Sequence, residues 1–144
     1  MHNVLNNFEV RVVANPLTAS SSIDSNSARI DMKDYDSVTF ITVIDDSVAT
    51  GVAGLKIEQS DEDSDTNMAL VSGSAVTKTS AVNDDINGLA LVTEVFRPTK
   101  RYVQAVRTSS TANIAFGSVI AILKPRVMPV TQGSTIAATA LVTN

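Results

Sequence analysis

The sequence predicts an all-β fold, an antiparallel jelly-roll-like β-sandwich of about 8–10 short strands. Val, Ile and Thr are abundant, and Ser, Asn, Asp and Gly separate the short apolar runs. No window keeps a helical period of 3.6 residues over three turns. A chain of 144 residues fits one domain of the usual ~100–200 residues. We therefore predict a single β-sandwich domain over residues 1–144.

The first elements are short and polar. Residues 1–8 carry no acid or fixed base and predict an N-terminal arm. Residues 8–14 alternate as a half-buried strand, and three side chains form its predicted buried face: Phe8, Val10 and Val12. The Ser-rich residues 18–26 predict a surface loop, and residues 28–32 a short strand.

The strongest strand signal of the first half is Asp36–Ile44, and both of its faces are apolar. Val38, Phe40 and Ile44 share one face with Thr42. Thr39, Ile41 and Val43 share the other. A strand with two apolar faces is typical of one covered on both sides. We therefore expect a homo-oligomer, a dimer or trimer, with these contact residues: Val38, Phe40, Ile41 and Val43.

Six further strands are predicted downstream. They are centred on residues 55–58, 68–71, 75–82, 88–96, 100–107 and 114–123. In the last of them, Gly117 indicates a bulge or a close backbone approach. Alternation there places four side chains on one face (Ile114, Phe116, Ile120 and Ile122) and Val119 and Leu123 on the other. Residues 131–144 form an uncharged C-terminal tail, in which residues 136–142 predict one more strand.

An acidic run at residues 61–65 resembles part of a calcium-binding loop. Asp61, Asp63 and Asp65 match the first three ligand positions of an EF-hand. Thr66 stands where glycine is required, and Ser72 stands where the bidentate glutamate belongs. The run therefore predicts a solvated acidic loop and no metal site.

The residue types that catalysis needs are scarce. The chain has no Cys and no Trp, and its single histidine is His2, in the predicted arm. No nucleophile therefore has an evident base, and no glycine-rich phosphate loop is present. We expect no enzyme activity, no catalytic residue and no cofactor. No apolar run approaches the ~18 residues of a membrane-spanning helix, so we expect a soluble protein without a membrane partner.

Charge is segregated along the sequence. Residues 1–96 hold all 15 acids and five bases, whereas residues 97–144 hold six bases and no acid, which reproduces the net charge of −4. The acidic balance argues against nucleic acid as a partner. An acidic protein surface is the better partner for the basic third, whose contact candidates are Arg97, Lys100, Arg101, Lys124 and Arg126.

Several segments resemble the head decoration (cement) proteins of tailed bacteriophages. These segments are Tyr35–Phe40, Ile57–Asp61, Lys100–Val103, Ala121–Arg126 and Pro129–Val130. The resemblance implies an oligomeric β-sandwich on the capsid exterior, assembled in the host cytoplasm, that clamps neighbouring major capsid proteins. Residues 1–8 and 131–144 would then serve as extended arms.

Two other functions remain open at this stage. One is a tail, fibre or receptor-binding β-sandwich module. The other is a carbohydrate-binding β-sandwich unrelated to viruses, which would be expected to expose aromatic side chains. The sequence contains six aromatic residues, and four of them lie in strand patterns.

Overall fold

The computed structural model describes residues 3–143, and its strands form two antiparallel sheets packed face to face. In the first sheet the strand order is β1-β11-β5-β9, with β2 also paired to β11. In the second sheet it is β3-β10-β6-β7, with β4 paired to β10 and β8 to β6. The strands are β1 Glu9–Ala14, β2 Leu17–Ser20, β3 Asp24–Asn26, β4 Ile30–Asp31, β5 Tyr35–Ser47, β6 Val52–Ser60, β7 Ala69–Leu70, β8 Val76–Thr79, β9 Ala90–Phe96, β10 Tyr102–Ser110 and β11 Ile114–Pro125.

The core lies between the two sheets and confirms the predicted antiparallel sandwich. Every second residue of the central strands points inward, and the fully buried side chains come from both sheets. Among them are Phe40, Ile44, Leu55, Ile57, Phe116 and Leu123. No helix among the described residues is long and apolar enough to cross a membrane.

The predicted boundaries differ from the structure in three places. The Ser-rich residues 18–26 are largely in β2 and β3, because strands at a sheet edge tolerate polar residues. β5 continues to Ser47, three residues beyond the predicted end of this strand at Ile44. Residues 136–142 form no strand, so that prediction was wrong.

Irregular pairing on β11 changes which side chains point inward. The register between β11 and β5 shifts around Gly117, which confirms the predicted bulge. An extra residue reverses the alternation beyond it. Val119, Ala121 and Leu123 therefore join Ile114 and Phe116 in the core. Ile120 and Ile122 lie on the outer face, which corrects their predicted grouping with Ile114.

The faces of β1 are also the reverse of the prediction. Glu9 pairs with the buried Leu123, so Glu9 and Arg11 point inward and Val10 and Val12 outward. Glu9 accepts hydrogen bonds from Arg11 Nε at 2.6 Å and from the Tyr35 hydroxyl. Burial raises the pKa of Glu9, but these two hydrogen bonds outweigh burial and leave that pKa below its usual value. The inward polar face is therefore stabilised by a closed network.

The two terminal segments pack against each other instead of extending as free arms. Residues 4–7 form the short helix α1, Val4–Asn7. Gln132 Oε1 accepts from Val10 N at 2.8 Å, and Gln132 Nε2 donates to the carbonyl oxygens of Leu5 and Phe8 at 3.0 and 2.7 Å. The tail thus satisfies backbone groups on the outer edge of β1, which would otherwise be open to pairing. Residues 1, 2 and 144 of the predicted arm and tail lie outside the described residues.

Candidate functional site

A shallow cleft at one end of the sandwich brings together the basic residues of three separate loops. Its volume is about 560 Å³. We call it the basic cleft, and its charged lining residues are Lys33, Asp36, Arg97, Lys100, Arg101 and Arg126. Four of the five predicted contact candidates therefore meet in one place.

Backbone hydrogen bonds hold these loops together. Arg97 N donates to the Asp36 carbonyl oxygen at 2.7 Å, and Arg126 N donates to that of Asp34 at 3.0 Å. Arg97 itself has a φ of 52°, a left-handed conformation that turns the chain out of β9 just before Pro98. The β9–β10 connection and the end of β11 are thus fixed beside the start of β5.

Lys124 lies outside the basic cleft. Its Nζ contacts Met128 Sδ at 3.3 Å and lies 5.2 Å from the centre of the Phe8 ring. Lys124 pairs with Ser37 on the outer face of the first sheet, whereas β11 shifts register after Lys124 and ends at Pro125, before Arg126. The basic residues of the C-terminal third are therefore divided between two surfaces.

Aspartates from the acidic part of the chain pair with three of the cleft cations. Arg101 binds Asp31 through Nε and Nη2 at 3.0 and 2.8 Å. Lys100 contacts Asp61 at 2.6 Å, and Arg126 contacts Asp36 at 3.1 Å. The charge segregation of the sequence is thus largely lost in space, because three bases of residues 97–144 are paired with acids of residues 1–96.

These ion pairs lower the pKa values of two of the aspartates. The side-chain hydrogen bonds from Arg101 lower the pKa of Asp31 from 3.8 to about 2. The hydrogen bond from Lys100 likewise lowers the pKa of Asp61. Both carboxylates are therefore charged, and their partners are neutralised, at neutral pH.

Two cations of the basic cleft have no carboxylate within ion-pair distance in the described chain. Lys33 and Arg97 are both exposed, and neither belongs to an ion pair of residues 3–143. The Arg97 guanidinium lies 5.1 Å from the centre of the Phe96 ring. These two side chains supply the unneutralised positive charge at the mouth of the cleft. Lys33 was not predicted, because it stands alone between acids in the sequence.

The acidic run 61–65 is occupied by ion pairs of this chain. Arg29 contacts Asp63 at 2.6 Å and Asp65 at 2.8 Å, while Asp61 binds Lys100. Within residues 3–143, no three His, Cys, Asp or Glu side chains are grouped so that they could hold a metal ion.

The predicted oligomer contacts fall on two different sides of β5. Val38 and Phe40 are fully buried between the sheets, so they are unavailable to a partner of the folded chain, and that part of the prediction is corrected. Ile41 and Val43 lie on the outer face of the first sheet, where Val43 is 38% exposed.

Residues of three other strands extend this outer face. Val12 pairs with Ile120, Ile120 pairs with Ile41, and Ile41 pairs with Val92. Directly opposed residues of antiparallel strands share a face, so these four form one apolar row across the sheet. We call this the outer row. Its members Val12, Val92 and Ile120 were not predicted as contact residues. The sequence signal for Val92 and Ile120 was the apolar character of both faces of β9 and β11, whereas Val12 was predicted to be buried.

Comparisons with known proteins support the fold alone. No protein-family model matches the sequence, and no curated protein matches it either. Among solved structures, the PBSX exported protein XepA is 14% identical with a TM-score of 0.55, and the match covers 99% of this chain and 46% of XepA. The chain thus spans about half the length of XepA.

Two further structures are more distantly similar. A structure described as CBM4 is 13% identical with a TM-score of 0.44, and the match covers 83% of this chain and 71% of that protein. The SPBc2 prophage-derived protein YomS is 11% identical with a TM-score of 0.43, covering 85% of this chain and 98% of YomS. Together with the two antiparallel sheets, the likeness to XepA assigns the chain to the β-sandwich fold.

Proposed function

We propose that the chain is a structural virion protein that binds the outer surface of a tailed-phage capsid and clamps neighbouring major capsid proteins. One observation carries the proposal. Four of the five sequence segments that resemble head decoration proteins, which are far apart in the chain, converge on the basic cleft. Tyr35, Asp36, Lys100, Arg101 and Arg126 from these segments line it, and Asp61 is ion-paired to its Lys100.

The composition of the cleft favours a protein surface with acidic side chains. Lys33 and Arg97 offer unpaired positive charge, and the paired cations around them keep free donor groups for further hydrogen bonds. Exposed ion pairs contribute only ~0.2–1 kcal/mol each, so tight attachment requires many copies or additional contacts. A shell presents many equivalent sites, and electrostatic attraction to it speeds encounter.

The proposal is tested by sedimenting the purified chain with heads of the phage or prophage whose genome encodes it. The double variant Lys33→Glu/Arg97→Glu should weaken binding by roughly 2- to 30-fold. This range corresponds to the loss of two exposed contacts of ~0.2–1 kcal/mol each. Wild-type binding should also weaken as salt shortens the Debye length from ~10 Å at 0.1 M to ~3 Å at 1 M. The variant should show a smaller salt effect.

A matched control uses Lys78, an exposed lysine on β8 without an ion pair among the described residues. Lys78→Glu and Arg97→Glu change the net charge equally, and only the second should reduce head binding. If both variants reduced head binding equally, the basic cleft would be only a solvated surface with no specific role in head binding. No binding of the wild-type chain to heads, with binding to tails or to cell-surface polysaccharide instead, would replace the proposal with one of the two other functions.

A further inference from the structure

The outer face of the first sheet carries almost no charge across four strands. At its centre lies the outer row Val12–Ile120–Ile41–Val92, with Val10, Ile122 and Thr39 beside it. Val12, Ile120 and Val92 are 37%, 38% and 50% exposed. Glu94 is the acid nearest to the row, and it lies on the edge strand β9, opposite Thr39.

We infer that this face binds the same face of a second copy of the chain, with a two-fold axis along the outer row. In a two-fold dimer, both copies use the same surface, which must be self-complementary. If the outer row lies along the two-fold axis, each of its side chains contacts the same side chain of the second copy. The face carries little charge with which to select a charged partner. Aligned packing of two such sheets repeats the arrangement already present between the two sheets of one chain.

The charges flanking the outer row fit this axis. Ser37 and Asp45 lie four residues before and four residues after Ile41 on β5, and Lys124 pairs with Ser37. A two-fold rotation about the outer row therefore carries Asp45 of the second copy over Ser37, one strand spacing of ~4.8 Å from Lys124. Within residues 3–143, neither Lys124 nor Asp45 belongs to an ion pair. The symmetry forms this pair twice.

The same axis avoids a clash between like charges. Glu94 lies two residues from Val92 on one side of the outer row, and Ala90 lies two residues from it on the other. Glu94 of one copy therefore faces Ala90 of the other instead of a second carboxylate. Since both residues are on the edge strand, Glu94 keeps access to water.

The size of the face sets the expected affinity. Four strands spaced ~4.8 Å apart and seven residues at ~3.4 Å per residue cover roughly 19 by 24 Å. With the relief of its side chains, this face approaches the ~600 Å² per partner found at the lower end of stable interfaces. We therefore expect a dimer that forms at micromolar concentration.

Sedimentation equilibrium of the full chain without heads tests this inference separately from the proposed function. The wild-type chain should approach twice its monomer mass of 15.2 kDa at micromolar concentration. Val92→Glu and Ile120→Glu should each raise the dissociation constant more than about tenfold, because each places a charge in an apolar contact. Leu70→Glu, at a 53% exposed residue of the second sheet, is the matched control and should leave it unchanged.

A charge exchange tests the axis itself. Lys124→Asp and Asp45→Lys should each weaken the dimer, because each places like charges opposite one another. The double variant Lys124→Asp/Asp45→Lys should restore wild-type affinity. A monomer at all accessible concentrations, a loss as large for Leu70→Glu as for Val92→Glu, or a double variant as weak as the single ones would each overturn the inference.

Discussion

Arg107 Nη1 on the second sheet donates a hydrogen bond of 2.6 Å to the Gly117 carbonyl oxygen at the bulge of the first sheet. Arg107 is 1% exposed, and its Nε has no hydrogen-bond partner within residues 3–143. Burial lowers the pKa of this guanidinium, and the described residues place no carboxylate within ion-pair distance. The side chain thus links the two sheets while its charge is poorly compensated.

Two replacements of Arg107 should therefore separate the two effects of this side chain on the free energy of unfolding. Its buried charge destabilises the fold, and its volume stabilises the fold by filling the core. Arg107→Met removes the charge and keeps much of the volume, so its free energy of unfolding should lie within about 1 kcal/mol of wild type or above it. Arg107→Ala removes the same charge but leaves a cavity, and should be at least ~2 kcal/mol less stable than Arg107→Met. Urea unfolding measures both, and equal destabilisation by the two variants would contradict this account.

Arg107 also shows where reading the sequence succeeded and where it did not. Strand alternation predicted most of the second half of the sandwich, because a half-buried strand needs an apolar residue at every second position. The positive charge of Arg107 indicates a wet face, although strand alternation groups Arg107 with Val103 and Ala105, which are buried between the sheets. Its hydrogen bond depends on the Gly117 carbonyl, which a bulge turns toward the interior, and no local pattern reveals that distant partner.

The contact candidates were predictable only in part for a similar reason. Sequence proximity grouped Lys124 with Arg126, but the pairing of β11 with β5 shifts between Lys124 and Pro125, and β11 ends at Pro125. The two side chains therefore lie on different surfaces. The convergence of Arg97, Lys100 and Arg101 was predictable, since they share one connection between strands. The aspartate partners of Lys100 and Arg101 are Asp61 and Asp31, and identifying them required the tertiary structure.

Gln132 should stabilise the chain more than its exposed, uncharged surroundings indicate. Its side chain accepts from Val10 N and donates to two carbonyl oxygens of residues 5–8. Gln132→Ala leaves these backbone groups without their partner, which typically costs ~1–3 kcal/mol. The free energy of unfolding from urea titration should fall by that amount.

The neighbouring Thr131 provides the control for this variant. Thr131 is exposed and forms no side-chain hydrogen bond among the described residues, so Thr131→Ala should leave stability within ~0.5 kcal/mol of wild type. If Gln132→Ala changes the free energy of unfolding as little as Thr131→Ala does, water replaces the Gln132 amide at the edge of β1, and the tail does not stabilise the sheet.

The acidic loop should show no dependence on calcium. Its aspartates are paired with Arg29 and Lys100, and the glycine and glutamate of an EF-hand are missing at Thr66 and Ser72. The melting temperature should therefore be the same with chelator and with added calcium. A fall of several degrees with chelator that calcium reverses would establish a structural site.

Acid should weaken the contribution of the Asp31–Arg101 pair within a defined pH range. The pKa of Asp31 is about 2 in the folded chain against an ordinary value of 3.8. Because the folded value is the lower one, the pair stabilises the fold above about pH 4 and loses this contribution as the pH falls through about 2. Asp31→Asn should thus melt below wild type at neutral pH, by a small amount because the pair is exposed to solvent.

The difference between Asp31→Asn and wild type should shrink between about pH 4 and about pH 2, and disappear below it. Arg101→Gln removes the hydrogen bonds that lower the pKa of Asp31, so it should reproduce the same convergence. Asp24→Asn changes an exposed carboxylate without an ion pair among the described residues, and should not. Thermal melts followed by circular dichroism measure all four proteins. A difference between Asp31→Asn and wild type that stays constant with pH would mean that the Asp31 pKa is not lowered, and that the pair is absent in solution.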